Sequence, residues 1–384
     1  MHIAINGHFL DQPTTGSGQY TRNLWQALAK VGAANEYSIL YHHSNADQRI
    51  TTARPQKTAY RATTTPFDRL NSDLAKVWFE QISFPAFCRR ERMDLAHVPY
   101  FAPPLRPLLP TVVTIHDLIP MVLPAYRGSP LVRLYTHLVA AAALRAELIL
   151  TDSQASKRDI LRLLGLPGER VRVIPLAAEE RFHPVEDAEH LKGTKDKYGL
   201  PDDYLLYLGG FDCRKNLAAL LRAFARVAQE PGGCHRLVIA GRLPERDTPF
   251  FPDPRRLARE TGVEQEVIFI GWVAEEDKAA LYSGARAFVF PSLYEGFGLP
   301  VLEALACGAP VITSNLSSLP EIVGPSGLTI DPQEPDQLAQ AMIELLNDEE
   351  MQRELGRKGL ERAGEFSWER TARQTLAAYE EVAT

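Results

Sequence analysis

Residues Phe288–Glu303 read FVFPSLYEGFGLPVLE. An apolar, aromatic run ends at Pro291-Ser292, as a short buried strand does. A loop holding Gly296 and Gly298 follows. A helix then opens at Leu299-Pro300, where proline suits the first helical turn. Strand, glycine-bearing loop and helix N-terminus together make an anion site, because backbone N–H groups and the positive end of the helix dipole converge there. Glu295 lies in the loop and Glu303 about one turn into the helix. Carboxylates accept hydrogen bonds from sugar hydroxyls, often two at once. A ligand with a sugar at each end of a diphosphate needs acceptors on both sides of such a loop. The competing reading is a glycine turn with two solvated glutamates; the completeness of the string favours the first.

Working outward, short apolar runs alternate with longer amphipathic ones. Strands are expected at His2–Asn6, Tyr37–His42, Leu95–Val98, Thr111–Ile115, Leu148–Thr151 and Val171–Ile174. Helices are expected near Gln19–Val31, Ser72–Arg92, Pro130–Ala146 and Gln154–Leu164. A second series has strands at Tyr204–Leu208, Arg236–Ala240, Val267–Ile270, Ala287–Phe290 and Val311–Thr313. Its helices are expected near Leu217–Gln229, Asp253–Thr261, Glu275–Ser283 and Leu299–Ala306. Such alternation implies α/β domains with parallel sheets covered on both faces, and two series imply two doubly wound halves. The polar segment Pro175–Pro201 reads as the linker. The end, Phe366–Thr384, reads as an amphipathic helix with Trp368, Thr371, Thr375, Leu376 and Tyr379 on one face.

The length of 384 residues agrees with two domains. Acidic residues exceed basic ones, 48 to 42, which argues against nucleic-acid binding. Cys88, Cys213, Cys234 and Cys307 form no C-x-x-C pair, so a reduced, cytoplasmic setting is expected. The N-terminus lacks the pattern of a signal peptide. Arg133, His137, Arg145 and Glu147 interrupt the apolar stretch Leu131–Leu150, which therefore does not read as a membrane span.

Other motifs sit at strand ends. In LLYLGGFDCRKNL, Leu205–Leu217, a strand runs into Gly209-Gly210, and Arg214 and Lys215 precede the next helix. They are placed to hold a diphosphate and stabilise charge on a departing phosphate; a solvated basic pair is the plainer reading. His116 follows the strand Thr111–Ile115, where ligand crevices open in parallel sheets, although a lone histidine is often structural. Asp117 is adjacent but need not touch it. Thr14–Tyr20, TTGSGQY, carries Gly16 and Gly18 but Thr21 where a dinucleotide fingerprint wants a third glycine. It reads as a loop over a substrate phosphate or as an ordinary turn. In Thr151–Asp159, Ser153 reads chiefly as a helix cap. Gly241-Arg242 either faces a base or turns the chain. Eight prolines between Pro99 and Pro130 imply rigid, irregular loops, either a binding surface or a stiffened one.

Together these residues resemble the retaining glycosyltransferases of family 4, with the GT-B fold. EGFGLPVLE, GGFDCRKN and TGSGQY carry the resemblance; HDLIP at His116–Pro120 and DSQASKRD look like the mannosyltransferase branch. The family implies two Rossmann-like domains facing a cleft: residues 1–180 for the acceptor, 181–365 for the nucleotide-sugar donor, and a final helix, 366–384, crossing back. By resemblance, Glu303 binds the donor ribose. Glu295, with the backbone of Gly296, Phe297 and Gly298, holds hydroxyls of the transferred sugar. Arg214 and Lys215, with Gly210 and the helix start at Leu299, clamp the diphosphate. His116 contacts the sugar near the reacting carbon, and Gly16 and Gly18 lie against phosphates or acceptor. No metal or other cofactor is implied. The expected activity is transfer of a hexose, mannose from GDP-mannose in first place, to a glycan or lipid-linked acceptor. A UDP-hexose donor, an epimerase and a non-catalytic sugar binder are the alternatives. A peripheral contact with the inner membrane surface is left open for the basic, apolar region Arg127–Arg145, for which a buried interdomain helix is the preferred reading.

Overall fold

Each apolar run of the first series becomes a parallel strand. The computed structural model describes residues 1–12, 15–42, 58–231 and 236–383. Thr14 and Cys234 lie outside them. The chain divides into two units, Met1–Leu176 with Ser367–Thr384, and Ala177–Phe366.

The first unit holds β1 (His2–Asn6), β2 (Glu36–His42), β3 (Thr58–Thr63), β4 (Leu95–Val98), β5 (Thr111–Thr114), β6 (Leu148–Thr151) and β7 (Val171–Val173). They form one parallel sheet in the order β3-β2-β1-β4-β5-β6-β7. Every residue of β4, β5 and β6 is buried, as expected for strands covered on both faces. Phe79, Phe84, Val113, Ile149 and Ile160 anchor the core. The helix Trp368–Ala383 packs on this unit through Thr371, Ala372, Thr375, Ala378 and Tyr379, and Thr371 Oγ1 donates to the Pro175 carbonyl at 2.7 Å.

The second unit holds β8 (Leu205–Leu208), β9 (Leu237–Ala240), β10 (Val267–Gly271), β11 (Ala287–Phe290), β12 (Val311–Ser314) and β13 (Leu328–Ile330), ordered β10-β9-β8-β11-β12-β13. In open parallel sheets, ligands bind beyond the carboxyl ends of the strands where the order reverses. That point lies between β1 and β4 in the first unit and between β8 and β11 in the second.

Several elements differ from the sequence expectation. Pro175–Pro201 is not wholly linker: Ala188–Tyr198 is a helix, capped by the Asp187 side chain and by Gly199 at φ 63°. Only Thr194 is buried in it, so no apolar stripe announced it. The edge strand β3, TAYRAT, is half exposed and lacks an apolar run. The helix Ser72–Trp78 continues through a π turn, Phe79–Ser83, into Phe84–Arg90. The widening precedes Pro85, which has no N–H and whose ring crowds the carbonyl one turn back. The helix Pro130–Ala143 is not buried as expected, because Leu131, Leu134 and Leu138 are exposed.

Candidate active site

The two strongest motifs occupy the two sides of the strand reversal in the second unit. After β8, the Tyr207 hydroxyl donates to the Gly210 carbonyl at 2.5 Å and fixes the glycine turn. A Cβ on Gly241 would stand 2.1 Å from the Gly209 carbonyl, and its φ is +147°. Glycine at 241 is thus explained by close backbone approach. Cys213–Lys215 then form one 3-10 turn. Asn216 follows in the left-handed region at φ 59°, which asparagine tolerates better than most residues. Its Nδ2 donates to the Pro332 carbonyl at 2.7 Å and to the Pro291 carbonyl at 3.3 Å. One side chain thereby ties the loops after β8, β11 and β13.

The loop after β11 is held as firmly. Leu293 N–H donates to the Arg214 carbonyl, and Glu295 N–H to Ser317 Oγ at 2.9 Å. Ser318 Oγ donates to the carbonyls of Glu295 and Phe297. Ser317 itself sits at φ 54°, a strained conformation held by this contact. Gly298, at φ +114°, opens the helix Leu299–Ala306 with no side-chain cap, which leaves the N-terminus without a local carboxylate. The Phe297 ring is buried edge-on to the half-buried Phe366, so its backbone rather than its ring is placed for a ligand.

At the centre, Glu295 lies between two cations. Arg214 Nη1 donates to its Oε2 at 2.6 Å, Lys215 Nζ to its Oε1 at 2.7 Å, and Ser292 Oγ to Oε1 at 2.6 Å. Arg214 also contacts Asp212 Oδ1 through Nε at 3.2 Å and the Tyr294 carbonyl at 2.9 Å. Lys215 Nζ lies over the Phe290 ring. Burial alone would raise the Glu295 pKa, but the charges of Lys215 and Arg214 and the hydrogen bonds hold it below the ordinary value. The sequence reading treated Glu295 and the cation pair as separate groups; the structure joins them. Two cations and two carboxylates balance here, and the ammonium of Lys215 keeps N–H donors beyond the one given to Glu295.

Glu303, on the buried side of the helix, accepts from the Tyr282 hydroxyl at 3.1 Å. Burial pushes its pKa up to about 7, opposed by the nearby Lys278 charge.

In the first unit, His116 follows β5. Its Nδ1 meets Asp152 Oδ2 at 2.6 Å and its Nε2 the Pro99 carbonyl at 3.2 Å. Both partners are acceptors, so the imidazole donates from both nitrogens when protonated. Burial alone would lower its pKa; the Asp152 charge and hydrogen bond, Asp117 and the Pro99 carbonyl outweigh this and raise it. The partner is therefore Asp152 at the end of β6, which the sequence reading did not select, while Ser153 does cap its helix through Ser156 N–H. The Tyr20 ring stands edge-on to His116 at 4.6 Å, and its hydroxyl meets Thr114 Oγ1 at 3.0 Å.

Gly16, Ser17 and Gly18 belong to the helix expected from Gln19 rather than to a loop before it. The helix begins at Gly16 behind the Thr15 cap. A Cβ on Gly18 would stand 2.1 Å from the Gln12 carbonyl, whereas nothing lies within 4 Å of one on Gly16. Close packing thus accounts for Gly18, and only Gly16 has open space. Beyond β1, the half-buried His8 has its pKa lowered to about 3 by desolvation, with Lys76 and His42 adding to the effect, and the buried Glu80 is raised to about 7 by burial.

Two family models match the chain: "Glycosyl transferases group 1" over residues 194–362 and "Glycosyltransferase Family 4" over residues 14–179. The chain is 33% identical to O-antigen chain mannosyltransferase B of Escherichia coli, covering 99% of both chains. It is 35% identical to the serotype-specific mannosyltransferase WbdA of the same organism, over 70% of this chain and 33% of that one. The fold matches sucrose-phosphate synthase of Thermosynechococcus elongatus with a TM-score of 0.77 at 24% identity, over 100% and 99% of the two chains. The chain is a family 4 glycosyltransferase. This glycosyltransferase has the GT-B fold, two Rossmann-like parallel-sheet domains, and its family models divide at the same region as its two units. Among its described residues no group of three His, Cys, Asp or Glu side chains is arranged to hold a metal ion.

Proposed function

We propose that this glycosyltransferase moves mannose from GDP-mannose to a glycan or lipid-linked acceptor, with retained configuration and without a bound metal. The observation that carries this reading is the Arg214–Glu295–Lys215 cluster at the strand reversal, beside the uncapped helix at Leu299. Mannose as the transferred sugar rests on the full-length likeness to the O-antigen chain mannosyltransferase.

Arg214 and Lys215, with the backbone at Gly210 and from Gly296 to Leu299, hold the diphosphate. Glu303 accepts from the ribose hydroxyls, and Glu295 positions the cations while receiving a hydroxyl of the mannose. In the reaction, the bond from the anomeric carbon to the β-phosphate oxygen breaks and its electron pair leaves with the phosphate. The cations and the helix N-terminus stabilise that charge. The acceptor oxygen bonds to the same face of the carbon, and its proton passes to the departing phosphate. His116 contacts the transferred mannose, charged and oriented by Asp152. The family assigns the acceptor to the first unit, where Gly16 offers open space. The protein works at the cytoplasmic membrane face when its acceptor is lipid-linked.

The reading is tested by incubating the protein with GDP-mannose and a mannose-terminated oligosaccharide, with and without EDTA. An α-linked product that persists in EDTA is expected. A β-linked product, loss of transfer restored by Mn2+, or rapid epimer formation from donor alone overturns it.

A further inference from the structure

The described residues carry thirteen large apolar side chains that are well exposed, and ten of them fall between Leu70 and Leu144. This clustering is not a property of the surface at large. The helix Pro130–Ala143 is apolar on two faces: Val139, Ala142 and Ala143 face the core, while Leu131, Leu134 and Leu138 form an outward stripe, Leu131 at 78% exposure. An apolar face left in solvent calls for a covering partner. On the neighbouring helix, Leu74 and Ile82 are also exposed.

These elements are tied together. The Tyr135 hydroxyl donates to Glu80 Oε2 at 2.9 Å. Gln81 bonds the proline-rich loop at the Pro103 carbonyl and at Leu105 N–H, and the Arg145 guanidinium donates to the Leu105 carbonyl. Between the helical segment 81–90 and that loop runs an open groove of about 580 Å³, with Ile82, Pro85, Ala86 and Leu108 as its apolar lining and Arg89, Arg90 and Arg106 as its cations.

Charge identifies the partner. The whole chain is acidic, yet Ser72–Arg145 carry eight Lys or Arg against five Asp or Glu, one of which, Glu80, is buried. Among the described residues, Arg89, Arg106, Arg127 and Arg133 form no ion pair. A second copy of this chain would set like charges face to face. Exposed leucines that can dip into acyl chains, with arginines on the same or tied elements to meet the headgroups, fit an anionic bilayer. No helix among the described residues is long and apolar enough to cross a membrane, so the face lies on the surface.

We propose that the face built from the helix Pro130–Ala143, the helical segment Ser72–Arg90 and the Leu105–Leu108 loop docks on a bilayer of anionic phospholipid. The proposal deepens the peripheral-membrane part of the reading above and is independent of the donor site.

The test is flotation of the full chain with phosphatidylglycerol-containing vesicles and with pure phosphatidylcholine vesicles. Binding to the anionic vesicles is expected, with at least about tenfold weaker binding to the neutral ones. The variant Leu131→Ser/Leu134→Ser/Leu138→Ser, and separately Arg89→Ala/Arg106→Ala, should each lower partitioning by about tenfold or more. High salt should weaken wild type more than the arginine variant. All variants should keep their unfolding temperature, GDP binding and transfer to a soluble acceptor, which separates failure here from failure of the donor reading. No flotation of wild type, equal binding of the variants, or a vesicle-independent dimer that the leucine variant dissolves overturns the proposal.

Discussion

Asp152 Oδ2 stands 2.6 Å from His116 Nδ1, although 36 residues separate them. β5 and β6 are neighbours in the sheet, so the residues that follow them are brought side by side. The pairing keeps the imidazole protonated to a higher pH than its ordinary value near 6.5. A histidine so raised stabilises the fold fully below the ordinary value, and that contribution is lost as pH rises through the raised one. Asp152→Asn should therefore move the alkaline fall of kcat/KM to lower pH. We expect about a tenfold loss at about pH 8 and a smaller loss at about pH 6. The pH–rate profile checks this; an unshifted alkaline limb argues against His116 acting as a cation.

Glu295→Gln keeps the shape of the cluster and removes the charge between Arg214 and Lys215. Leaving two poorly solvated cations without their shared carboxylate should cost about 3 kcal/mol of stability. GDP brings negative charge back to the same place, so it should raise the unfolding temperature of the variant more than that of wild type. Thermal unfolding with and without GDP measures both effects. Equal GDP shifts would separate Glu295 from the diphosphate site.

Glu303 has its pKa pushed up to about 7 by burial, from 4.5. For an acid, that shift favours the folded state most below about pH 4.5 and is lost as pH climbs through about 7. A ribose diol donates best to the ionised carboxylate. The donor KM should accordingly rise as pH falls below about 7, and Glu303→Gln should remove that dependence at a uniformly higher KM. Initial-rate kinetics from about pH 6 to about pH 8 decide the matter.

Gly241→Ala would put a methyl group 2.1 Å from the Gly209 carbonyl at a φ of +147°. The strain and clash should destabilise the second unit by about 2 kcal/mol or more and displace the Gly209-Gly210 turn. Denaturant unfolding and donor KM should worsen together; an unchanged KM would mean that the turn does not shape the donor site.

The legible parts of this molecule were those whose physics is local. FVFPSLYEGFGLPVLE announced its strand, loop and helix because burial, glycine and proline each act within a few residues. The eleven predicted strands all formed because each is built mostly of apolar and β-branched residues. β3, β13 and the helices Ala188–Tyr198, Pro335–Asn347 and Glu349–Gly364 were not expected: β3 is an exposed edge, β13 is three residues long, and Ala188–Tyr198 has a single buried residue, Thr194. The site was legible as a set of residue types and hidden as a set of contacts. Nothing in the spacing of Arg214, Lys215 and Glu295 says that one carboxylate joins both cations across 80 positions. Asp152 sits in a capping motif, but its partner His116 follows a neighbouring strand. Gly18 looked like ligand chemistry and is explained by the Gln12 carbonyl against it.

The central claim is that Arg214 and Lys215 grip the diphosphate of the donor. Calorimetric titration of GDP-mannose into wild type and into Arg214→Ala/Lys215→Ala tests it most directly, with unfolding curves to establish that the variant is folded. The account predicts about a hundredfold or greater loss of affinity in the variant, because two charge-assisted contacts disappear. A folded variant that binds GDP-mannose as tightly as wild type would contradict it.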